Sequence, residues 1–376
     1  MKHLLFFAAI ITPVLYSMDQ NTIPLEENNI NNAKSSSSSP NYSTEYQYKK
    51  TLKSNDHPVT DITFHPLDSD IIVSGGSNGT IKIWDIKKNI DTTLYNKNSE
   101  KIAINYNGTI LASTGDNRDI IVWDFNDKTE KKTITVDENK QAHDNQANHI
   151  KCLMFHPSDQ NVLISGFYGD CTIYGQSKNC VNICTVDSDS KDVITDDFAQ
   201  LRGVAINPHN VNDLVLVSYK KIILMDLDKK AQRNMRNYSA TAIVFNPKDD
   251  KQFITFFKGG SSVTFWDNLK FEKLKDIKLS GPLNSLLNIE DVVFDSTGKK
   301  LIVTSPRLTQ IFDLEGKLIQ KFDNEYNTRV AFKIFSKDRP QQQHSTNISH
   351  VRISPNDKTI ITQGHEEAIK VWGCGN

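Results

Sequence analysis

Every tryptophan in this chain of 376 residues sits in a phrase of one design: IKIWD at Trp84, IIVWD at Trp123, VTFWD at Trp266 and IKVWG at Trp372. Each phrase is an apolar run that closes on the indole and reads as a strand. A residue this rare falls four times in one register only if the chain is built from copies of a single unit.

Weaker copies follow once the frame is known. Each unit opens with an apolar strand ending in a turn. The turn is FHP at Phe64–Pro66 and Phe155–Pro157, INP at Ile206–Pro208, FNP at Phe245–Pro247 and ISP at Ile353–Pro355. YNG at Tyr106–Gly108 and FDSTG at Phe294–Gly298 replace the proline in two copies. The anchor that closes the phrase is read as Tyr174, Met225 and Phe312 in the third, fourth and sixth units, which gives seven copies. Between turn and anchor lies a second apolar strand, such as Ile71–Gly75, and then a Gly/Asn turn. Three strands per unit are legible, and a fourth is expected after each anchor.

This pattern resembles the WD-repeat β-propeller family over about residues 46 to 376. In the first copy His57, Phe64, Pro66, Ser74, Gly79, Thr80, Trp84 and Asp85 occupy the family's positions. The resemblance implies an all-β fold, a seven-bladed β-propeller of four-stranded antiparallel blades. Four residues follow Trp372, too few for an outer strand, while Thr44–Leu52 has period-2 character and no partner of its own. In the family the N-terminal strand completes the last blade, so this segment is assigned that role, closing the ring and covering an open edge.

The resemblance also implies a buried hydrogen-bond chain in each blade, linking the Trp to a Ser/Thr, a His and an Asp six residues before the Trp. Those six-back positions hold Asn78, Asn117, Tyr168, Gly260 and Glu366, none of them Asp. Ser74 with Trp84 and Ser113 with Trp123 are expected to keep the short link, and His57 is placed for it in the first blade alone. The remaining blades, with Tyr174, Trp266, Phe312 and Trp372 among their anchors, are expected to be held mainly by packing.

A chain that is 24% charged, with net charge -1 and pI near 6.8, has no bulk electrostatic reason to bind nucleic acid or an anionic membrane. Its paired lysines, such as Lys87–Lys88 and Lys229–Lys230, read as solvated hairpin tips. At the N-terminus Met1-Lys2-His3 precedes an apolar stretch of 13 residues, Leu4–Tyr16, too short to span a bilayer and of the length of a secretory h-region. Residues 1–17 are expected to be a signal peptide, 18–43 an Asn/Ser-rich linker too poor in apolar residues to fold, and 44–376 the propeller. That places the protein in a secreted or periplasmic location, or tethered to a membrane if the N-terminus stays uncleaved; no span is expected after signal removal.

Five cysteines leave at least one unpaired: Cys152, Cys171, Cys180, Cys184 and Cys374. Cys180 and Cys184 are read into the outer strand of the third blade. A Cys171–Cys180 bridge is geometrically accessible, and reduced thiols are the default. His143, His149, Cys180 and Cys184 are the one neighbourhood with zinc-ligand chemistry, and their spacing is poor for a site. The Gly75–Gly79 stretch matches a nucleophile elbow in letters, but it lies between two strands where that chemistry needs a strand, a turn and a helix. Asp187–Asp197 starts like a calcium loop, then puts Lys191, Asp192 and Phe198 at ligand and glycine positions, and so reads as a solvated loop between blades.

No catalytic constellation, metal site or cofactor motif is present in the sequence. The expected function is a non-catalytic scaffold for a protein or peptide, acting as a monomeric propeller; the alternative is a periplasmic hydrolase or lyase with a metal or carboxylate site in the channel. Counting four residues back from the end of each first strand gives Thr60, Ile102, Lys151, Arg202, Thr241, Glu290 and Ser349 near the channel. Both signs and no aromatic cluster suit a polar peptide.

Overall fold

The computed structural model describes residues 46–53, 57–95, 99–115, 119–135, 150–167, 179–188, 191–196, 201–218, 221–229, 231–236, 238–279, 288–306, 308–323, 348–364 and 368–374. The stretch expected to be a signal peptide, the expected linker, Asn117, His143, His149, Tyr168, Cys171, Tyr174 and Glu366 lie outside these residues.

The described residues form strands. The first, β1 (Tyr46–Lys53), is followed by blade 1, made of β2 (Val59–Phe64), β3 (Ile71–Gly76), β4 (Thr80–Asp85) and β5 (Ile90–Tyr95). Blade 2 is β6 (Ile102–Ile104), β7 (Ile110–Thr114), β8 (Asp119–Asp124) and β9 (Thr129–Thr135). Blade 3 is β10 (Ile150–Phe155), β11 (Val162–Phe167), β12 (Asn179–Thr185) and β13 (Lys191–Asp196). Blade 4 is β14 (Leu201–Ile206), β15 (Asp213–Ser218), β16 (Lys221–Asp226) and β17 (Ala231–Arg236). Blade 5 is β18 (Ala242–Phe245), β19 (Gln252–Phe256), β20 (Ser262–Asp267) and β21 (Glu272–Lys278). Blade 6 is β22 (Asp291–Phe294), β23 (Lys300–Ser305), β24 (Leu308–Asp313) and β25 (Leu318–Asp323). Blade 7 contains β26 (Ile348–Ile353), β27 (Thr359–Gly364) and β28 (Ala368–Cys374), and its fourth strand is β1, in the order β1-β28-β27-β26.

Closure takes the form expected. β1 pairs antiparallel with β28 from Tyr46↔Cys374 to Lys53↔Ala368, with one irregularity between Tyr48 and Lys50. Tyr46 stands edge-on to Phe322 of blade 6, and Tyr48 edge-on to Trp372. The first strands of the blades neighbour one another in succession, and β26 of blade 7 neighbours β2 of blade 1, so the sheets close into a ring.

Position in the blade explains composition. Second strands lie inside the sheets and are buried almost throughout, as in IIVSGG of β3 and KLIVTS of β23. Outer strands meet solvent and are charged, as in TEKKTIT of β9 and EKLKDIK of β21, which protects their free edges.

The core is divided into seven clusters, one between each neighbouring pair of blades. Trp84 packs with Ile361, Ile369 and Val371 of blade 7. Trp123 packs with Val73, Ile81 and Ile83 of blade 1, and Trp266 with Val217, Ile222 and Leu224 of blade 4. Met225, Phe312 and Trp372 occupy the matching clusters, each shared with the blade before. An anchor is therefore a wedge between sheets. Burying one large apolar side chain contributes about 1.5–3 kcal/mol, and a neutral hydrogen bond nets about 1 kcal/mol, so packing dominates.

The short links are present and extend further than the sequence showed. Trp84 Nε1 donates to Ser74 Oγ at 2.9 Å and Trp123 Nε1 to Ser113 Oγ at 3.0 Å. Trp266 donates to Thr255 Oγ1 at 2.8 Å and Trp372 to Thr362 Oγ1 at 2.9 Å. His57 stands exposed at the start of blade 1.

The turn phrase has a second use. In FHP, His65 Nδ1 accepts the backbone N–H of Asp68 at 3.1 Å, which leaves the proton on Nε2 to donate to Gly108 O of blade 2 at 3.1 Å. Asn246 repeats the device in blade 5: its Oδ1 accepts Lys248 N–H at 2.9 Å and its Nδ2 donates to Gly298 O of blade 6 at 3.0 Å. His156 reaches Val211 O of blade 4 in the same way, at 3.3 Å. Gly108 and Gly298 have φ of 74° and 67°, and a Cβ at either would overlap the His65 ring or the Asn246 amide. In these three turns one residue thus caps its own loop and clasps the next blade.

Candidate functional site

The candidate site is the mouth of the ring where the first strands begin. Four of these strands open with a register irregularity, between Val59 and Asp61, Ile150 and Cys152, Leu201 and Gly203, and Ile348 and His350. The residue carried over each bulge is Thr60, Lys151, Arg202 or Ser349, so four of the positions read from sequence share one backbone feature. Bulges re-aim side chains in this way at the rims of sheets. Thr241 and Glu290 immediately precede β18 and β22 at the matching places.

Ile102 does not belong to this ring. It pairs with Ser113 as Ile62 pairs with Ser74, and it is buried between blades 1 and 2. The equivalent of Thr60 in blade 2 is Glu100. Counting from YNG misplaced it because Asn105 N–H bonds to Ile110 O as His65 N–H does to Ile71 O, so the turn starts before Tyr106.

Three of the hydroxyls serve the scaffold. Thr60 Oγ1 donates to Gly75 O and Ser99 O, both at 3.1 Å. Thr241 Oγ1 donates to Phe256 O at 3.2 Å and accepts Lys258 N–H. Ser349 is buried, its Oγ 2.8 Å from Gln363 Oε1. Glu290 pairs with Lys258 at 3.2 Å. Lys151 is exposed and Arg202 half-buried.

Sequence reasoning passed over the ionic cluster beside this ring. Arg352 of blade 7 lies 2.6 Å from Asp291 of blade 6 and 3.7 Å from Asp61 of blade 1. Asp61 Oδ2 also accepts Ile102 N–H of blade 2 at 3.3 Å, and Asp291 Oδ2 accepts Val351 N–H of blade 7 at 3.2 Å. The same acid at the same register thus holds the following blade twice. Burial alone would raise the Asp291 carboxyl, but Arg352, His350 and the Val351 N–H outweigh it and hold that group well below the usual carboxylate range. The signal was available: DITF and DVVF place an acid three residues before the aromatic in both blades.

The third blade departs from the reading of the sequence. Its third strand is β12, and Leu163 faces Cys184 as Ile72 faces Trp84. The anchor is therefore Cys184, buried, and not Tyr174, which lies outside the described residues. An aromatic was sought where the chain uses a thiol, and the connection from β11 to β12 is longer than in the other blades. Cys180 and Cys184 consequently lie in the third strand, and the outer strand is β13, whose Lys191–Asp196 pairs with β12 in the segment read as a loop. Cys152, Cys184 and Cys374 are free thiols, and burial pushes that of Cys152 up to about 12. Among the described residues no group of three or more His, Cys, Asp or Glu side chains is placed to hold a metal ion.

A closed ring of seven four-stranded antiparallel blades, wedged by anchors, defines a seven-bladed β-propeller. The family profile described as "WD domain, G-beta repeat" matches residues 46–85, which hold β1 and the first three strands of blade 1. Over those residues the chain is similar to a WD repeat. Among curated relatives, the nuclear distribution protein PAC1 of Komagataella phaffii is 27% identical over 134 residues, 31% of this chain and 25% of the relative. The nuclear distribution protein nudF of Emericella nidulans is 24% identical over 119 residues, again 31% of this chain and 25% of the relative. The chain spans about a quarter of the length of the curated relatives it matches. WD-repeat propellers in general are interaction scaffolds for proteins rather than enzymes.

Proposed function

We propose that this protein is an exported, non-catalytic scaffold that binds a polar segment of a protein partner at the mouth where its first strands begin. The observation that carries the reading is the common register of Thr60, Lys151, Arg202, Thr241, Glu290 and Ser349, which gathers polar side chains from six blades around one opening. Polar rims of this kind fix register and partner choice rather than bulk affinity.

The test is affinity capture from the native compartment with the wild-type chain and with an R202A/E290A variant whose circular dichroism is unchanged. The partner recovered by the wild type is expected to be lost from the variant; equal recovery would contradict the assignment of this face. Export rests on the charge-then-apolar order of Met1–Tyr16. Sequencing of the mature protein is expected to start after Ser17, and an intact Met1 would refute export.

A further inference from the structure

We propose that Asn78–Gly79, at the tip of the β3–β4 hairpin, is a site of spontaneous covalent modification, where the Asn78 carboxamide deamidates to aspartate and isoaspartate in the folded protein. The reaction needs no partner and does not depend on what the mouth binds.

The same four letters occur twice in the chain, as Asn78-Gly79-Thr80-Ile81 and Asn107-Gly108-Thr109-Ile110. A glycine after the asparagine leaves its backbone nitrogen open to attack on the side chain, because no Cβ stands in the way. The two turns share one frame. Gly79 N–H donates to Gly76 O at 3.0 Å and Gly108 N–H to Asn105 O at 2.9 Å, and the two glycines have φ of 82° and 74°. Asn78 Oδ1 accepts Thr80 N–H at 3.1 Å, and Asn107 Oδ1 accepts Thr109 N–H at 3.2 Å. The amides differ. Asn107 is half-buried, its Nδ2 donates to Gln160 Oε1 of blade 3, and its Oδ1 takes a second bond from Thr109 Oγ1 at 2.8 Å. Asn78 is exposed, and among the described residues its Nδ2 has no hydrogen-bond partner.

The chemistry uses only the turn and water. Gly79 N attacks Asn78 Cγ, so that an N–Cγ bond forms, the Cγ–Nδ2 bond breaks, and Nδ2 leaves as ammonia with the Gly79 proton. Water then opens the cyclic imide at one carbonyl or the other, leaving aspartate or isoaspartate. The carboxamide must first release Thr80 N–H, and Gly79 N–H must release Gly76 O, so the reaction passes through local opening of the turn. Both turns carry that cost. Asn107 must in addition give up Gln160 and the Thr109 hydroxyl, so one sequence reacts at two rates. The Asn78 turn lies at the channel mouth, where Ser77 N–H donates to Pro58 O at 3.0 Å just before β2. Deamidation adds a negative charge there, and isoaspartate inserts the side-chain methylene into the hairpin backbone.

The experiment incubates the folded full chain in mildly alkaline buffer and follows its peptides by mass, each event replacing an NH by O. Asn78 is expected to convert about tenfold faster than Asn107, because two further hydrogen bonds must open at Asn107. In urea, where both turns are lost, the two rates are expected to converge. Gln160→Ala removes the acceptor of Asn107 Nδ2 without touching Asn78, and is expected to raise the Asn107 rate several-fold. Equal rates in the folded wild type, an Asn78 that stays intact, a difference that persists in urea, or an Asn107 rate unmoved by Q160A would overturn the assignment.

Discussion

Replacing Trp266 by alanine is expected to destabilise the propeller by about 3–5 kcal/mol, the range for removing a large aromatic from a core. Its side chain is 1% exposed and wedges blade 5 against Val217, Ile222 and Leu224 of blade 4. Phe253 stacks nearly parallel to it, and Tyr238 meets it edge-on with ring centroids 4.8 Å apart. Thr255→Val separates packing from hydrogen bonding, because it keeps the volume and removes only the acceptor of the indole N–H. That loss is expected to be about 1–3 kcal/mol, the cost of leaving one buried donor unsatisfied. Urea unfolding of both variants decides the matter: equal losses would mean that the hydrogen bond, not the wedge, holds the blades.

Arg352→Met is expected to cost about 3 kcal/mol, the low end for breaking a buried ion pair from one side, since the Arg352 side chain is 30% exposed. Its removal strands two carboxylates, those of Asp291 and Asp61, at the junctions of blade 7 with blades 6 and 1. The pH dependence gives a second readout. The folded Asp291 carboxyl is held below its unfolded value, so its contribution is present above about pH 4 and is lost as pH falls through the folded value. In the unfolded chain this group takes a proton first, and wild-type stability therefore declines with acid. Without Arg352, burial dominates and raises the carboxyl, so the variant is expected to lose part of that acid dependence. A variant with unchanged stability and an unchanged acid slope between pH 5 and 3 would show that the cluster does not hold the ring.

What the sequence showed well was local and periodic. Anchors, turn phrases and the closing strand are each written within a few residues, and a strand that must bury one face leaves that pattern in its letters. Tyr174 was mistaken because the anchor position demands a wedge, not an aromatic, and Cys184 fills it with a small apolar thiol. Ile102 was misplaced because the second unit lacks the proline that marks the turn. Thr255 and Thr362 were overlooked although they stand 11 and 10 residues before their tryptophans, close to the 10 that separates Ser74 from Trp84. The clasps from turns such as those of His65 and Asn246 to the next blade, and the acids that hold the following strand, have no local signature of purpose. Their partners lie 41 to 60 residues away and become neighbours only when the blades stand side by side.

The central claim is that Tyr46–Lys53 is the outer strand of blade 7, so that both ends of the propeller meet in one sheet. Native-state hydrogen exchange tests it directly, because amides bonded across the β1–β28 ladder open only when the ring opens. The amides of Tyr46–Lys53 that pair with β28 are expected to exchange as slowly as those of Ala368–Cys374 and to lose protection together with them in rising denaturant. Rapid exchange of the first segment while Ala368–Cys374 stays protected would show an unpaired strand and contradict the closed ring.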